Sequence, residues 1–245
     1  MSTIQAQPKD NPGYSGSNYR SLYLIGGAAA ALEVLFIVLQ SGVFFVVGLP
    51  GSVIEWFELF ERSPLRGLLA FELLLIFYVI LSIPVALALY AALQRTNPAL
   101  TSLYLAIALF GAVAFVTSRP AFEMLSLSNS YAAATSDGQR AAYLAAGEAT
   151  LAAFSGTAYW VSYTLGSLSG FVISIVILQS SVISRSTAYL RLASSIFDFG
   201  IFVPTIGIFI ALLSVFCLMG FNILVARRLL QMGGSSYVAA ESSIA

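Results

Sequence analysis

The feature that most limits this chain is a series of long stretches almost free of charge. Leu22–Val47 carries Glu33 as its only charged residue, and Gly67–Gln94 carries only Glu72. Ala99–Ser118, Leu151–Gln179 and Ile208–Ala226 carry none, and the shorter stretch Thr187–Val203 contains Asp198. Crossing a hydrocarbon core about 30 Å thick takes roughly 20 helical residues. Lipid offers no partners to exposed backbone groups, so a chain of such stretches folds as a helical bundle. A β-barrel would instead show alternating segments of roughly 10 residues, and these runs are longer and apolar on all sides. The expected fold is all-α: a polytopic transmembrane helical bundle of six spans, 21–232, between a polar N-terminal tail, 1–20, and a flexible C-terminal tail, 233–245.

Composition excludes several chemistries. Only 9% of residues are charged and the mean hydropathy is +0.90, against about a quarter charged in a soluble domain. Net charge is zero and no basic tract occurs, so nucleic acid is not an expected partner. There is no histidine, which removes histidine-ligated metals, axial haem ligation by histidine and Ser-His-Asp or HExxH catalysis. The single lysine, Lys9, lies in the polar tail, so a Schiff base within the bundle has no donor. Cys217 sits in an apolar run and reads as a small buried hydrophobe. No enzyme, metal or cofactor is expected.

Between the spans, two stretches have character of their own. In SVIEWFELFERSP, Glu55, Glu58 and Glu61 recur every three residues, while Val53, Trp56, Phe57 and Phe60 fill the other side. The spacing predicts an amphipathic interfacial helix between spans 1 and 2, with Trp56 at headgroup level. Arg119 to Thr150 forms a helical outer loop between spans 3 and 4, with Thr135 or Ser136 capping a helix that starts near Asp137. Within the spans, Pro84 predicts a kink. Tyr159, Trp160 and Tyr163 sit at an outer end, and Gly166 and Gly170 have the GxxxG spacing of a helix-packing face.

The charges suggest an orientation. Six spans place both termini on one side, with Lys9, Arg20, Arg95, Arg185, Arg191, Arg227 and Arg228. Arg62, Arg66, Arg119 and Arg140 fall on the other, together with Glu55, Glu58, Glu61, Glu123, Asp137 and Glu148. The expectation is a multi-pass protein of the plasma membrane with cytoplasmic termini.

Glu33, Glu72 and Asp198 are the candidate sites, because intramembrane carboxylates are costly and face a bundle interior or water. Arg66 and Arg119, at the outer boundary, are the possible partners of Glu72 and Asp198. Glu33 is nearer the midplane, where no cation is expected at its depth. The three acids serve either a proton or cation path, or interhelical hydrogen bonds that fix the helices.

The stretch YAAAT, then QRAAYLAAGEA, GTAYWVSY and GSLSGFVISIVIL resembles a prokaryotic family of six-span integral membrane proteins catalogued only as a domain of unknown function. RSPLRGLLAFELLLIFYVILSIPVALALYAALQ and the closing NILVARRLLQMG extend the resemblance over nearly the whole chain after the tail. It implies architecture and no catalytic or ligand residue. The first expectation for function is a structural or accessory subunit, packing against itself or a larger membrane complex in the lipid bilayer. The alternative is a small ion- or proton-coupled transporter or permease using the intramembrane carboxylates. A water-filled cavity reaching Glu33 separates the two, in favour of transport.

Overall fold

The computed structural model describes residues 19–203 and 205–241 of the chain. Of the expected tails, 1–20 and 233–245, residues 1–18 and 242–245 lie outside the described residues, while 233–241 lies within the last helix. The described residues form helices α1 (Arg20–Val47), α2 (Val53–Arg62), α3 (Pro64–Ala70), α4 (Leu73–Leu93), α5 (Pro98–Thr117), α6 (Ala121–Ala132), α7 (Asp137–Phe154), α8 (Thr157–Gln179), α9 (Arg185–Asp198) and α10 (Gly207–Glu241). A 3₁₀ turn, Phe199–Phe202, continues α9.

Local chemistry sets the boundaries. Gly48, with φ 74°, closes α1 in a left-handed conformation that costs glycine little. The side chains of Ser52, Ser63, Asn97, Ser136 and Ser184 accept backbone N–H groups at the starts of α2, α3, α5, α7 and α9. Of the two caps expected at α7, Thr135 or Ser136, it is Ser136 that caps, and the Gln139 amide oxygen accepts from the Thr135 N–H at 3.0 Å.

Six helices close into a ring in chain order: α1 packs on α4, α4 on α5, α5 on α8, α8 on α9, α9 on α10, and α10 on α1. Small residues allow the α1–α10 closure. A methyl group at Gly27 would fall 2.8 Å from Leu230, so the helices meet there almost backbone to backbone. The ring core is built from Ala30, Ala88, Leu89, Ile173, Val176, Ile177, Val225 and Leu229, all buried. Outside, Phe45, Phe110, Phe209 and Phe216 are exposed. Apolar groups face out while charged groups lie within, the arrangement of a protein dissolved in lipid.

Five stretches are long and apolar enough to cross a membrane: Arg20–Val47, Leu73–Leu93, Pro98–Ala132, Asp137–Gln179 and Phe209–Gly234. The chain is a multi-pass membrane protein on that basis. The expected fifth span corresponds to α9, whose 14 residues reach only about 21 Å.

The second and fourth spans start later than the sequence suggested. The chain breaks at Phe71-Glu72, so the expected span from Gly67 begins at Leu73. Phe71 is fully buried against Trp56 and Phe154, at ring separations of 4.8 and 4.6 Å, and this anchoring pulls the chain out of helix. The span expected from Leu151 begins at Thr157, because α7 runs on to Phe154 and ends at Ser155-Gly156. Pro84 lies inside the unbroken α4.

The helices α2, α3, α6 and α7 form a cap packed on itself at one end of the ring. The amphipathic α2 is present, with Glu55, Glu58 and Glu61 exposed. Its apolar face, however, lies on protein rather than on lipid headgroups. Trp56 is 4% exposed within a core that includes Phe57, Phe60, Phe71 and Met124. The Ser128 hydroxyl donates to the Phe57 carbonyl at 2.9 Å and ties α6 to α2.

Candidate functional site

The lumen of the ring is a cavity of about 280 Å³, and all six ring helices line it. α1 contributes Glu33, α4 Tyr78, α5 Tyr104, α8 Tyr163 and Ser167, α9 Arg191 and Asp198, and α10 Asn222. For scale, an engineered cavity of about 150 Å³ takes up benzene. This one has room for a small solute, and its mostly apolar wall carries Glu33, Arg191 and Asp198.

Glu33 is 2% exposed, and its Oε1 has no hydrogen-bond partner among the described residues. Asn222, equally buried, has its amide beside the Tyr78 hydroxyl, without a hydrogen bond of ordinary length at Nδ2 among the described residues. A buried polar group without a partner costs about 1–3 kcal/mol.

Asp198 ends α9 and faces α8, where the Tyr163 hydroxyl donates to Oδ1 at 3.4 Å and the Ser167 hydroxyl to Oδ2 at 3.3 Å. No Lys or Arg lies within 4.0 Å of it among the described residues. The expected pairing of Asp198 with an outer arginine is therefore not made.

Arg191 corrects the sequence reading most. Counted there among arginines outside the membrane, it lies in the lumen instead, two turns before Asp198 on α9. Its Nη2 donates to the Gly166 carbonyl at 3.0 Å and its Nη1 to the Ser194 hydroxyl at 3.4 Å. Both partners are neutral, and no carboxylate pairs with it among the described residues. The Gly166–Gly170 spacing also divides into two roles. Gly170 is a packing glycine, since an added methyl would meet Ser195 and the Arg191 guanidinium. Gly166 meets no such obstacle and lines the cavity.

Glu72 is separate from this lumen. It caps α4 at φ 66° and accepts from Arg119 Nε at 2.5 Å. Of the two expected partners, Arg119 makes the ion pair; Arg66 is exposed and unpaired among the described residues. The guanidinium of Arg119 lies among the rings of Phe115, Phe154 and Tyr159, at 4.4, 4.3 and 4.8 Å from their centroids. It also donates to the Ser118 and Phe154 carbonyls. With every charge matched, Glu72–Arg119 fastens cap to ring and leaves nothing to bind.

No protein-family model, curated protein or solved structure matches the chain. What can be said of function rests on the lumen.

Of the three acids singled out from sequence, the fold thus brings two, Glu33 and Asp198, to one cavity and assigns the third to the cap. The residues that sequence reading missed are Arg191, Asn222, Tyr78, Tyr104 and Tyr163. Two carried a visible signal. Arg191 and Asp198 are seven residues apart, hence on one helix face, and Asn222 is an amide inside an apolar run. Tyr163 gave none, because tyrosines near span ends are ordinarily interface anchors.

Proposed function

We propose that this protein is a membrane carrier of small charged solutes, coupled to protons or cations, whose transport site is the lumen of the ring. One observation carries the reading: Glu33, Arg191 and Asp198 share one cavity without an ion pair among them. Burying unpaired charges is expensive, and a scaffold would join or omit them. A site that exchanges one occupant for another keeps its charges free. The accessory-subunit expectation called for a solid bundle, and a hollow at Glu33 argues for the transporter alternative. In this reading Glu33 is the coupling acid, since it is the most deeply buried of the lumen charges.

The membrane arrangement belongs to the same proposal. α9 with its 3₁₀ turn measures about 29 Å from the helical rises and serves as a sixth span. Away from the cap, the starts of α1 and α9 carry Arg20 and Arg185, the turn after α4 carries Arg95, and the later part of α10 carries Arg227 and Arg228. With Arg191 removed from that side, the five basic residues there among the described residues still exceed the four at the cap end. The termini then face the cytoplasm of a plasma membrane and the cap faces outward. The resemblance to a six-span family bears on this architecture alone.

The test is aqueous access to the lumen. In a Cys217→Ser background, the lumen-lining Ala108→Cys in sealed proteoliposomes should react with a charged methanethiosulfonate, while the core variant Leu229→Cys stays inert. Steps in small charged solutes should then drive transient currents on a supported membrane, and Glu33→Gln should suppress them. Ala108→Cys as unreactive as Leu229→Cys from both faces would refute the carrier reading.

A further inference from the structure

The lumen's charges are arranged by sign in a way that specifies a ligand. Arg191 and Asp198 share one face of α9, and both are held by a single turn of α8. The guanidinium rests on the Gly166 carbonyl and the carboxylate on the hydroxyl of the next residue, Ser167. Two turns of helix, about 10 Å, separate their backbone positions. Here each takes neutral partners, and the gap between them exceeds ion-pair distance. Three of the five guanidinium N–H groups remain without an acceptor among the described residues. On α1, Glu33 adds a buried carboxyl oxygen with no partner among the described residues.

A lone cation does not match this wall, because Arg191 would repel it. No group of three His, Cys, Asp or Glu side chains gathers to hold a metal among the described residues. A lone anion meets the carboxylate of Asp198. A molecule bearing both signs meets Arg191 and Asp198 at once. Resting on the carrier reading of the lumen, we infer that the ligand is a small zwitterion with an ammonium and a carboxylate group. Its carboxylate is taken by Arg191, for which bidentate recognition is the favoured geometry, and its ammonium by Asp198 with the Tyr163 hydroxyl alongside. The Asn222 amide is a further donor to the carboxylate end. At about 280 Å³ the cavity admits an amino-acid-sized molecule.

The experiment uses the full chain, purified in mild detergent, and follows its unfolding midpoint against added probe, since a ligand of the native state raises the midpoint in a saturable way. The probes are glycine, β-alanine and 4-aminobutyrate, with butyrate, butylammonium and an equimolar mixture of those two at the same ionic strength. At least one zwitterion should stabilise saturably while butyrate, butylammonium and their mixture do not. Arg191→Met and Asp198→Asn should each weaken the response about tenfold to a hundredfold, the loss of one charge-assisted contact. Arg191→Lys should retain part of it. The probe series itself needs only the unaltered protein, so a variant that fails to fold leaves the test intact. Butylammonium stabilising as well as the best zwitterion, or no zwitterion stabilising at all, would overturn the inference. If Ala108→Cys reacts while only butylammonium binds, the carrier reading stands and the zwitterion falls. If Ala108→Cys is inert, both fall.

Discussion

Replacing Arg119 by methionine should loosen the cap from the ring, and the structure sets the size of the effect. Arg119 is the most heavily engaged cation among the described residues: its side chain is 2% exposed and is paired with Glu72, itself 16% exposed. Three aromatic rings surround the guanidinium, and the Ser118 hydroxyl and the Phe154 carbonyl each accept at 3.0 Å. Methionine keeps much of the volume, so the loss is electrostatic. Removing one partner of a buried pair costs about 3–5 kcal/mol, chiefly because the other charge is stranded. At about 2–4 °C per kcal/mol for a chain of this size, Arg119→Met should melt roughly 6–20 °C lower. Glu72→Gln keeps an acceptor for the guanidinium but leaves Arg119 as the stranded charge, so it should also destabilise, by about 2–3 kcal/mol. The double variant Arg119→Met with Glu72→Leu buries no charge and should recover part of the loss, making the pair strongly non-additive.

Tryptophan fluorescence suits the assay, because Trp56 lies in the cap core and Trp160 near the start of α8. In a Trp160→Phe background the signal reports the cap alone, and the cap transition should move first. Arg119→Met melting within 2 °C of the parent, or single effects that simply add in the double variant, would refute the view that this pair fastens the cap.

Other expectations are simpler. Gly27→Leu should break the α1–α10 closure, since even a methyl there falls 2.8 Å from Leu230, and should appear as lost monodispersity in size-exclusion chromatography. Phe60→Ala empties a fully buried site in the cap and should cost about 3–5 kcal/mol in thermal or denaturant unfolding. Ser136→Ala removes the acceptor for the Gln139 N–H and should cost about 0.5–2 kcal/mol, with faster proteolysis near Asp137 as the readout.

The bundle was legible because lipid makes the sequence signal one-dimensional: a run long enough to cross must be apolar and helical. Where protein packing competes with that signal, the boundaries moved. Phe71 is as apolar as its neighbours, and only its seat between Trp56 and Phe154 explains why α4 starts at Leu73. Trp56 was placed at the headgroups by its type, whereas the cap buries it. The same limit hid half the site. Glu33 and Asp198 stood out because any acid in an apolar run does. Arg191 did not, since near a short span's start it reads as a loop arginine until α8 is seen packed against it.

The two ion-bearing regions obey opposite rules, and the contrast bears on function more than either region alone. Glu72 and Arg119 sit where cap and ring must stay joined, and there the fold supplies a direct pair, aromatic walls and hydrogen bonds to the remaining donors. Arg191 and Asp198 sit on one helix face two turns apart, and there the fold gives each neutral partners, Gly166 and Ser194 for the guanidinium, Ser167 and Tyr163 for the carboxylate. A fold able to build the first arrangement has the means to build it twice. That the lumen pair is divided among neutral partners, while Gly170 leaves just enough space for the guanidinium, marks the separation as a property of the site. A separated pair is stabilised when something of both signs enters between its members, and a ring of six helices lined by that pair gains most from an occupant that can also leave.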